Sequence, residues 1–264
     1  MLLHEHLENG ADKNPNFPFS EFEGNSLSYQ EANLLSNQLA NKLVSEGLEV
    51  GDRFAFLAKN CTEMAIMYYA ASKVGAVPVP LNYRLADQEW AYIINDSEAK
   101  LIIVKGNEYS DRINQISSEL KNVKKYISIS LDNSIEKFQD FYDWLSDSSN
   151  EKPTLKIHEN DDVYQMYTSG TTGHPKGAVL LQRNVAANIR QYLNSLTLPR
   201  PSRTLLVAPM YHAAAMINMC GCIAIGGTIV IQEDFIPQDV VDCLANEKIT
   251  HTVLVPAMIQ ACLV

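Results

Sequence analysis

Between Arg53 and Ser130 the sequence alternates short apolar, β-branched runs with longer stretches of helical character. Arg53 to Leu57 reads as a strand, Thr62 to Val74 as an apolar helix ended by Gly75, and Val77 to Leu81 as a second strand. A helix from Asp87 to Asn95, a strand from Leu101 to Val104, a helix from Asp111 to Leu120 and a strand from Tyr126 to Ser130 continue the pattern. Strands alternating with helices at these intervals imply parallel pairing with helices covering the sheet. The class is α/β.

The flanks extend this pattern. Ser26-Leu27-Ser28-Tyr29 leads into a helix in which Ser28 and Glu31 are placed as a capping box, Leu34, Leu35, Leu39 and Leu43 share a face, and Gly47 is the stop. A weaker helix is expected around Ile135 to Leu145. Ser146 to Asp162 has little apolar content and marks the best boundary, separating an N-terminal α/β subdomain (1–160) from a second one (161–264). In the second, Ala178 to Leu181 is expected as strand, Asn184 to Leu196 as helix, Thr204 to Ala208 as strand and Ala213 to Ile225 as helix. Thr228 to Gln232 (strand), Asp239 to Asn246 (helix) and Thr250 to Val255 (strand) follow, and Pro256 opens a final helix. That helix runs out on apolar residues with no Gly, Asn or basic stop, so the second subdomain is expected to be incomplete and the chain a portion of a longer one.

With 264 residues, 46% of them hydrophobic, the chain can bury a substantial core. A net charge of −10 argues against a nucleic-acid partner, which requires a basic surface. Cys61, Cys220, Cys222, Cys243 and Cys262 are odd in number and show no C-x-x-C or His/Cys metal spacing, which fits a reducing cytoplasm. The first residues lack the basic start and apolar core of a signal peptide. No Asp, Glu, Lys or Arg occurs from Thr204 to Gln232, yet Pro209, His212, Asn218 and Gly226-Gly227 interrupt the run; a buried strand, helix and strand explain it better than a membrane span.

The chemistry concentrates in Val163 to Gly177, V-Y-Q-M-Y-T-S-G-T-T-G-H-P-K-G. A β-branched and aromatic strand runs into a loop of glycines and hydroxyl residues. Gly170 and Gly173 carry no Cβ, so successive backbone N–H groups can turn toward one anion. Thr168, Ser169, Thr171 and Thr172 add hydroxyl donors, Pro175 stiffens the exit, and Lys176 supplies a movable positive charge. A Walker loop counted from Gly170 demands Gly at position 175 and Ser or Thr at 177; Pro175 and Gly177 stand there instead. Asp161 and Asp162 invite a metal-ligand reading, but carboxylates before the strand lie at the end away from the loop, and a solvated loop is the better account.

From Tyr167 to Gly177 the stretch resembles the phosphate loop of the adenylate-forming superfamily, an aromatic residue followed by T-S-G-T-T-G-x-P-K-G. The resemblance continues through G-L-E-V-G-D (Gly47 to Asp52), K-V-G-A-V-P-V-P-L-N-Y-R-L (Lys73 to Leu85), P-M-Y-H (Pro209 to His212) and T-H-T-V-L-V-P (Thr250 to Pro256), in the family's order. It implies the N-terminal large domain of such an enzyme, truncated, with largely parallel sheets flanked by helices. It also implies an ATP- and Mg²⁺-dependent acid–thiol ligase of the acyl- or aryl-CoA synthetase type. Such enzymes join a carboxylate to ATP, forming an acyl-adenylate and pyrophosphate, and many pass the acyl group to coenzyme A or a carrier thiol. Thr168, Ser169, Gly170, Thr171, Thr172, Gly173 and Lys176 would then bind the nucleotide.

His212 would lie beside the acyl carboxylate, where a neutral imidazole donates without a full buried charge; a core histidine satisfied by backbone is the alternative. Arg84 resembles an arginine that some relatives place near the coenzyme A nucleotide, and a plain surface arginine is the alternative. Amino-acid-activating members carry an Asp near the position of His212, and none occurs here, which points to a fatty or aryl acid. Ala213-Ala214-Ala215-Met216 reads either as an acyl pocket wall or as ordinary helix packing. The family's later segments for adenine, ribose and the adenylation lysine cannot be placed in this sequence, so this portion alone is expected to be inactive. A non-catalytic phosphate- or acyl-binding protein acting through its surface is the competing class.

Overall fold

A computed structural model describes residues 1–130, 135–168 and 174–264. Its helices are α1 (Leu3–Lys13), α2 (Tyr29–Ser45), α3 (Thr62–Val74), α4 (Asp87–Asp96), α5 (Asn107–Ile116), α6 (Phe141–Leu145), α7 (Gln182–Ser195), α8 (Ala213–Ala224), α9 (Pro237–Asn246) and α10 (Pro256–Cys262). The strands are β1 (Pro18–Phe22), β2 (Asn25–Ser28), β3 (Arg53–Leu57), β4 (Val77–Pro80), β5 (Leu101–Lys105), β6 (Lys125–Ile129), β7 (Phe138–Asp140), β8 (Asp162–Thr168), β9 (Lys176–Leu181), β10 (Arg203–Leu206), β11 (Thr228–Ile231) and β12 (His251–Thr252). Two units interleave along the chain: Met1–Leu35, Lys59–Tyr69 and Arg183–Val264 form one, Ser36–Ala58 and Ala70–Gln182 the other. The boundary expected at 160/161 falls inside the second unit, because the antiparallel pair β8–β9 belongs wholly to it.

In the first unit the sheet runs β12-β10-β11-β1-β2, parallel except for the β1–β2 hairpin at its edge. The charge-free run from Thr204 to Gln232 supplies β10, α8 and β11, and α8 buries Met216, Met219, Cys220, Cys222 and Ile223. Among the described residues no helix is long and apolar enough to cross a membrane. Tyr29 Oη donates to the Gly227 carbonyl at 2.7 Å, and Arg203 reaches both carboxylate oxygens of Glu21 at 2.8 Å. The β1–β2 hairpin was outside the sequence pattern, since its strands are short and partly polar and turn at Glu23 and Gly24, both with positive φ.

In the second unit the sheet β4-β3-β5-β6-β7 is parallel throughout. Ala55, Leu57, Ile102 and Val104 from its strands pack with Trp90, Ile94 and Ile113 from α4 and α5 into one core. The β-α-β succession read from Arg53 onward is therefore present. Two segments differ. The helix expected over Asp111 to Leu120 starts at Asn107, because Gly106 at φ +91° turns the chain directly out of β5, and Ser117–Glu119 tighten into a 3₁₀ turn. The helix expected from Ile135 holds only for Phe141–Leu145: Phe138–Asp140 pairs with β6, and Asp140 accepts from the Tyr142 and Asp143 N–H groups, so the helix begins there.

The α2 helix is capped as its sequence predicts. Ser28 N–H donates to Glu31 at 2.8 Å and the Glu31 N–H to Ser28 Oγ at 3.3 Å. Gly47, at φ +86°, ends it, with the Leu48 N–H on the Leu43 carbonyl. Its buried stripe is Ala32, Ser36, Leu39, Ala40 and Leu43 rather than one containing Leu34, which is exposed. At about 100° per residue Leu34 stands beyond the edge of that stripe.

Candidate functional site

The residues singled out around the Gly/Thr loop sit on the β8–β9 hairpin, a strand–loop–strand rather than the strand–loop–helix of a Walker site. Thr168 and Lys176 are partners across it and flank the loop; Ser169, Gly170, Thr171, Thr172 and Gly173 lie outside the described residues. Thr168 and Lys176 are both exposed, and Thr168 Oγ1 donates to the Lys176 carbonyl at 3.4 Å. Gly177 stands opposite Tyr167, and a Cβ there would come within 2.3 Å of Gln165 Nε2 and 2.9 Å of the Tyr167 ring. A side chain at position 177 would have to displace the end of Gln165.

A hydrogen-bonded series ties the strand β8 to its surroundings in the second unit. Tyr167 Oη donates to Asp96 at 2.5 Å and accepts from Gln165 Nε2 at 3.1 Å. Gln165 Oε1 accepts from Arg53 Nε at 3.2 Å, and Arg53 pairs with Asp162 at 3.2 Å. Burial, then the Asp96 carboxylate, push the Tyr167 phenol above its ordinary range, so it stays a neutral donor. After the loop, the His174 ring stacks on Tyr92 at 4.6 Å and Tyr92 Oη donates to the Pro175 carbonyl at 3.4 Å. Asp161 accepts from the His158 N–H at 2.7 Å, and Asp162 lies opposite Leu181, at the hairpin end away from the loop. Among the described residues no group of three or more His, Cys, Asp or Glu side chains comes together as a metal site.

His212 belongs to the first unit, where the chain leaves the carboxyl end of β10 and enters α8. Open α/β sheets place ligands at the carboxyl ends of their strands. Pro209 to His212 form a turn, His212 N–H to the Pro209 carbonyl at 3.0 Å, and His212 is exposed at the N-cap position with its ring 4.4 Å from that of Tyr211. Ala213 and Ala214 are exposed beside it, whereas Ala215 and Met216 are buried in the core.

The turn is held by Asn60, which sequence reasoning passed over. Its Nδ2 donates to the Ala208 and Gln232 carbonyls at 3.1 Å each, and its Oδ1 accepts from the Met210 N–H at 2.8 Å. Tyr68 Oη adds a bond to the Met210 carbonyl at 3.3 Å. The only sequence signal was a polar residue between an apolar strand and an apolar helix. Arg84, in the second unit, is exposed past the carboxyl end of β4, its guanidinium 5.3 Å from the Tyr83 ring centre and its backbone N–H on Asn82 Oδ1 at 2.9 Å.

A model of the AMP-binding enzyme family matches residues 7–264. The long-chain-fatty-acid–CoA ligase FadD13 of Mycobacterium tuberculosis is 30% identical over 236 residues, 89% of this chain and 45% of its own length. A feruloyl-CoA synthase from Amycolatopsis is 30% identical over 239 residues, 90% of this chain and 45% of its own. The solved N-terminal domain of FACL13 from Mycobacterium tuberculosis superposes with a TM-score of 0.89 at 27% identity, covering 99% of this chain and 64% of that one. The chain thus spans about half the length of the curated relatives it matches.

Proposed function

The chain belongs to the AMP-binding enzyme family, and from that premise we propose that it is the N-terminal portion of an ATP-dependent ligase that activates a carboxylic acid and transfers it to a thiol. The observation that carries this is Lys176 paired across β8–β9 with Thr168, both exposed, at the two ends of a loop made of glycines and hydroxyl residues. In this reading Thr168, Ser169, Gly170, Thr171, Thr172, Gly173 and Lys176 hold the β- and γ-phosphates of ATP. A carboxylate oxygen of the acid attacks the α-phosphorus, the bond from that phosphorus to the bridging oxygen breaks, and pyrophosphate leaves with the electron pair. The chain's contribution is position and charge: the Lys176 ammonium faces the growing negative charge on the departing group. Mg²⁺, when bound, would neutralise phosphoryl oxygens.

His212 is assigned to the acyl carboxylate and Arg84 to the nucleotide of coenzyme A, the thiol acceptor in this reading. A fatty or aryl acid fits the stretch from Thr204 to Gln232, which holds no carboxylate to bind a substrate ammonium. The names of the relatives, a long-chain-fatty-acid ligase and a feruloyl-CoA synthase, support the same classes. We assign the activity to the cytoplasm, consistent with five free cysteines.

Calorimetric titration of the chain with pyrophosphate and with Mg²⁺–ATP tests the loop. Binding is expected, and Lys176→Ala should weaken it about tenfold or more, the loss of one charge-assisted contact. Adding fatty and aryl acids to the chain alone should release no pyrophosphate. A chain that binds neither ligand, yet is folded, would favour a protein acting through its surface.

A further inference from the structure

We propose that Tyr92 and Asp96 on α4 form a latch that fixes both shoulders of the loop between β8 and β9, and are thereby positioning residues for phosphate binding. The two side chains stand four residues apart, on one face of the helix. Asp96 takes the Tyr167 hydroxyl, one residue before the loop's first donor, Thr168. Tyr92 takes the other side, stacking on His174 and bonding the Pro175 carbonyl immediately before Lys176. One helical turn therefore holds the entry and the exit of a loop whose ends, Thr168 and Lys176, are themselves partners.

Two features set this apart from incidental packing. Asp96 is the last residue of α4, where the helix dipole disfavours a carboxylate, and the last turn has no basic residue to offset it. The Tyr167 hydroxyl gives this exposed carboxylate a partner. Tyr167 is also fixed from its other side by Gln165, itself bonded to Arg53, so the phenol has one donor direction and that direction is Asp96. An anion site works best when the chain flanking it is held in place before the ligand arrives, and the latch grips Tyr167 on one side of the loop and Pro175 on the other. The argument rests on the phosphate-loop reading above.

Trypsin and pyrophosphate separate the two. The Lys176–Gly177 bond lies at the exit shoulder, and Lys176 is exposed. In Asp96→Asn or Tyr92→Ala, cleavage after Lys176 should accelerate about tenfold while cleavage after the exposed Lys121 keeps its rate, because local opening and not global unfolding is what changes. Asp96→Asn combined with Tyr167→Phe should be no faster than either alone. Pyrophosphate affinity should fall about tenfold in Asp96→Asn and stay at the wild-type value in Gln88→Ala on the same helix. Unchanged cleavage after Lys176, or equal acceleration at Lys121, overturns the latch whatever pyrophosphate does. Faster cleavage in a chain whose wild type binds no pyrophosphate overturns the phosphate-loop reading and with it the positioning role.

Discussion

Glu21 and Arg203 illustrate how much of the first unit's sheet depends on single side chains. Both guanidinium terminal nitrogens of Arg203 reach the carboxylate at 2.8 Å, and its Nε holds the Glu247 carbonyl at 2.9 Å, linking β1, β10 and the end of α9. The hydrogen bond from Arg203 holds the Glu21 carboxyl below 4.5, its ordinary value. A carboxylate depressed in the folded chain contributes stability that is present above its unfolded value and lost as the pH falls through the folded one. Glu21→Gln should therefore cost roughly 1 kcal/mol near neutrality, a figure kept small because solvent reaches the pair. The difference from wild type should vanish as urea midpoints are followed below pH 4.5; a gap that persists there would show that packing, not charge, holds the position. Residues of this kind are not legible in a sequence. Glu21, Asn60, Tyr92 and Asp96 have partners far along the chain, so no local pattern marks them. Lys176 and Thr168 stand out as candidates because their chemistry and their spacing lie in one continuous stretch.

At the scale of elements, β8 and β9 place a constraint on a residue with no side chain. The register sets Gly177 against Tyr167, and Gln165 folds over the gap to reach the tyrosine hydroxyl. Gly177→Ala would drive a methyl into that amide, breaking the Gln165–Tyr167 and Gln165–Arg53 bonds together. A loss of about 1–3 kcal/mol follows, the usual range for overpacking a filled site. Adding Gln165→Ala should recover most of the steric part; urea titration of the single and double variants decides it, and a double variant as unstable as the sum of the singles would refute the account. Elements with strong local signals were read well: β3 and α3 keep their expected limits, and the Ser28–Glu31 box opens α2. Those set by long-range pairing were not. The β1–β2 hairpin joins β11 from far along the chain, and β7 displaces an expected helix because β6 offers it an edge.

The molecule as a whole follows from crossing connections. The first unit recruits residues 1–35, 59–69 and 183–264, so its sheet forms only after distant segments meet, whereas the second draws mainly on a continuous run from Ala70 to Gln182. A boundary read from composition assumes that domains follow one another along the chain, and this fold does not obey that assumption. The first unit also exposes several apolar side chains on and beside its last two helices. The α9 and α10 helices pack together, yet Val241 and Leu244 on α9 and Ile259 on α10 remain exposed, as do Ile236 before α9 and Val255 before α10. Neighbouring β12 is two residues long and pairs only with β10 among the described strands. Grouped apolar side chains beside a short sheet edge favour association of one copy with another. The chain by itself should sediment increasingly as larger species as its concentration rises. Leu244→Lys with Ile259→Lys should shift it toward the monomer at unchanged thermal midpoint, since neither side chain belongs to the buried core. If the double variant associates as strongly as the wild type, the contact lies elsewhere; if it unfolds, these residues support the first unit from within.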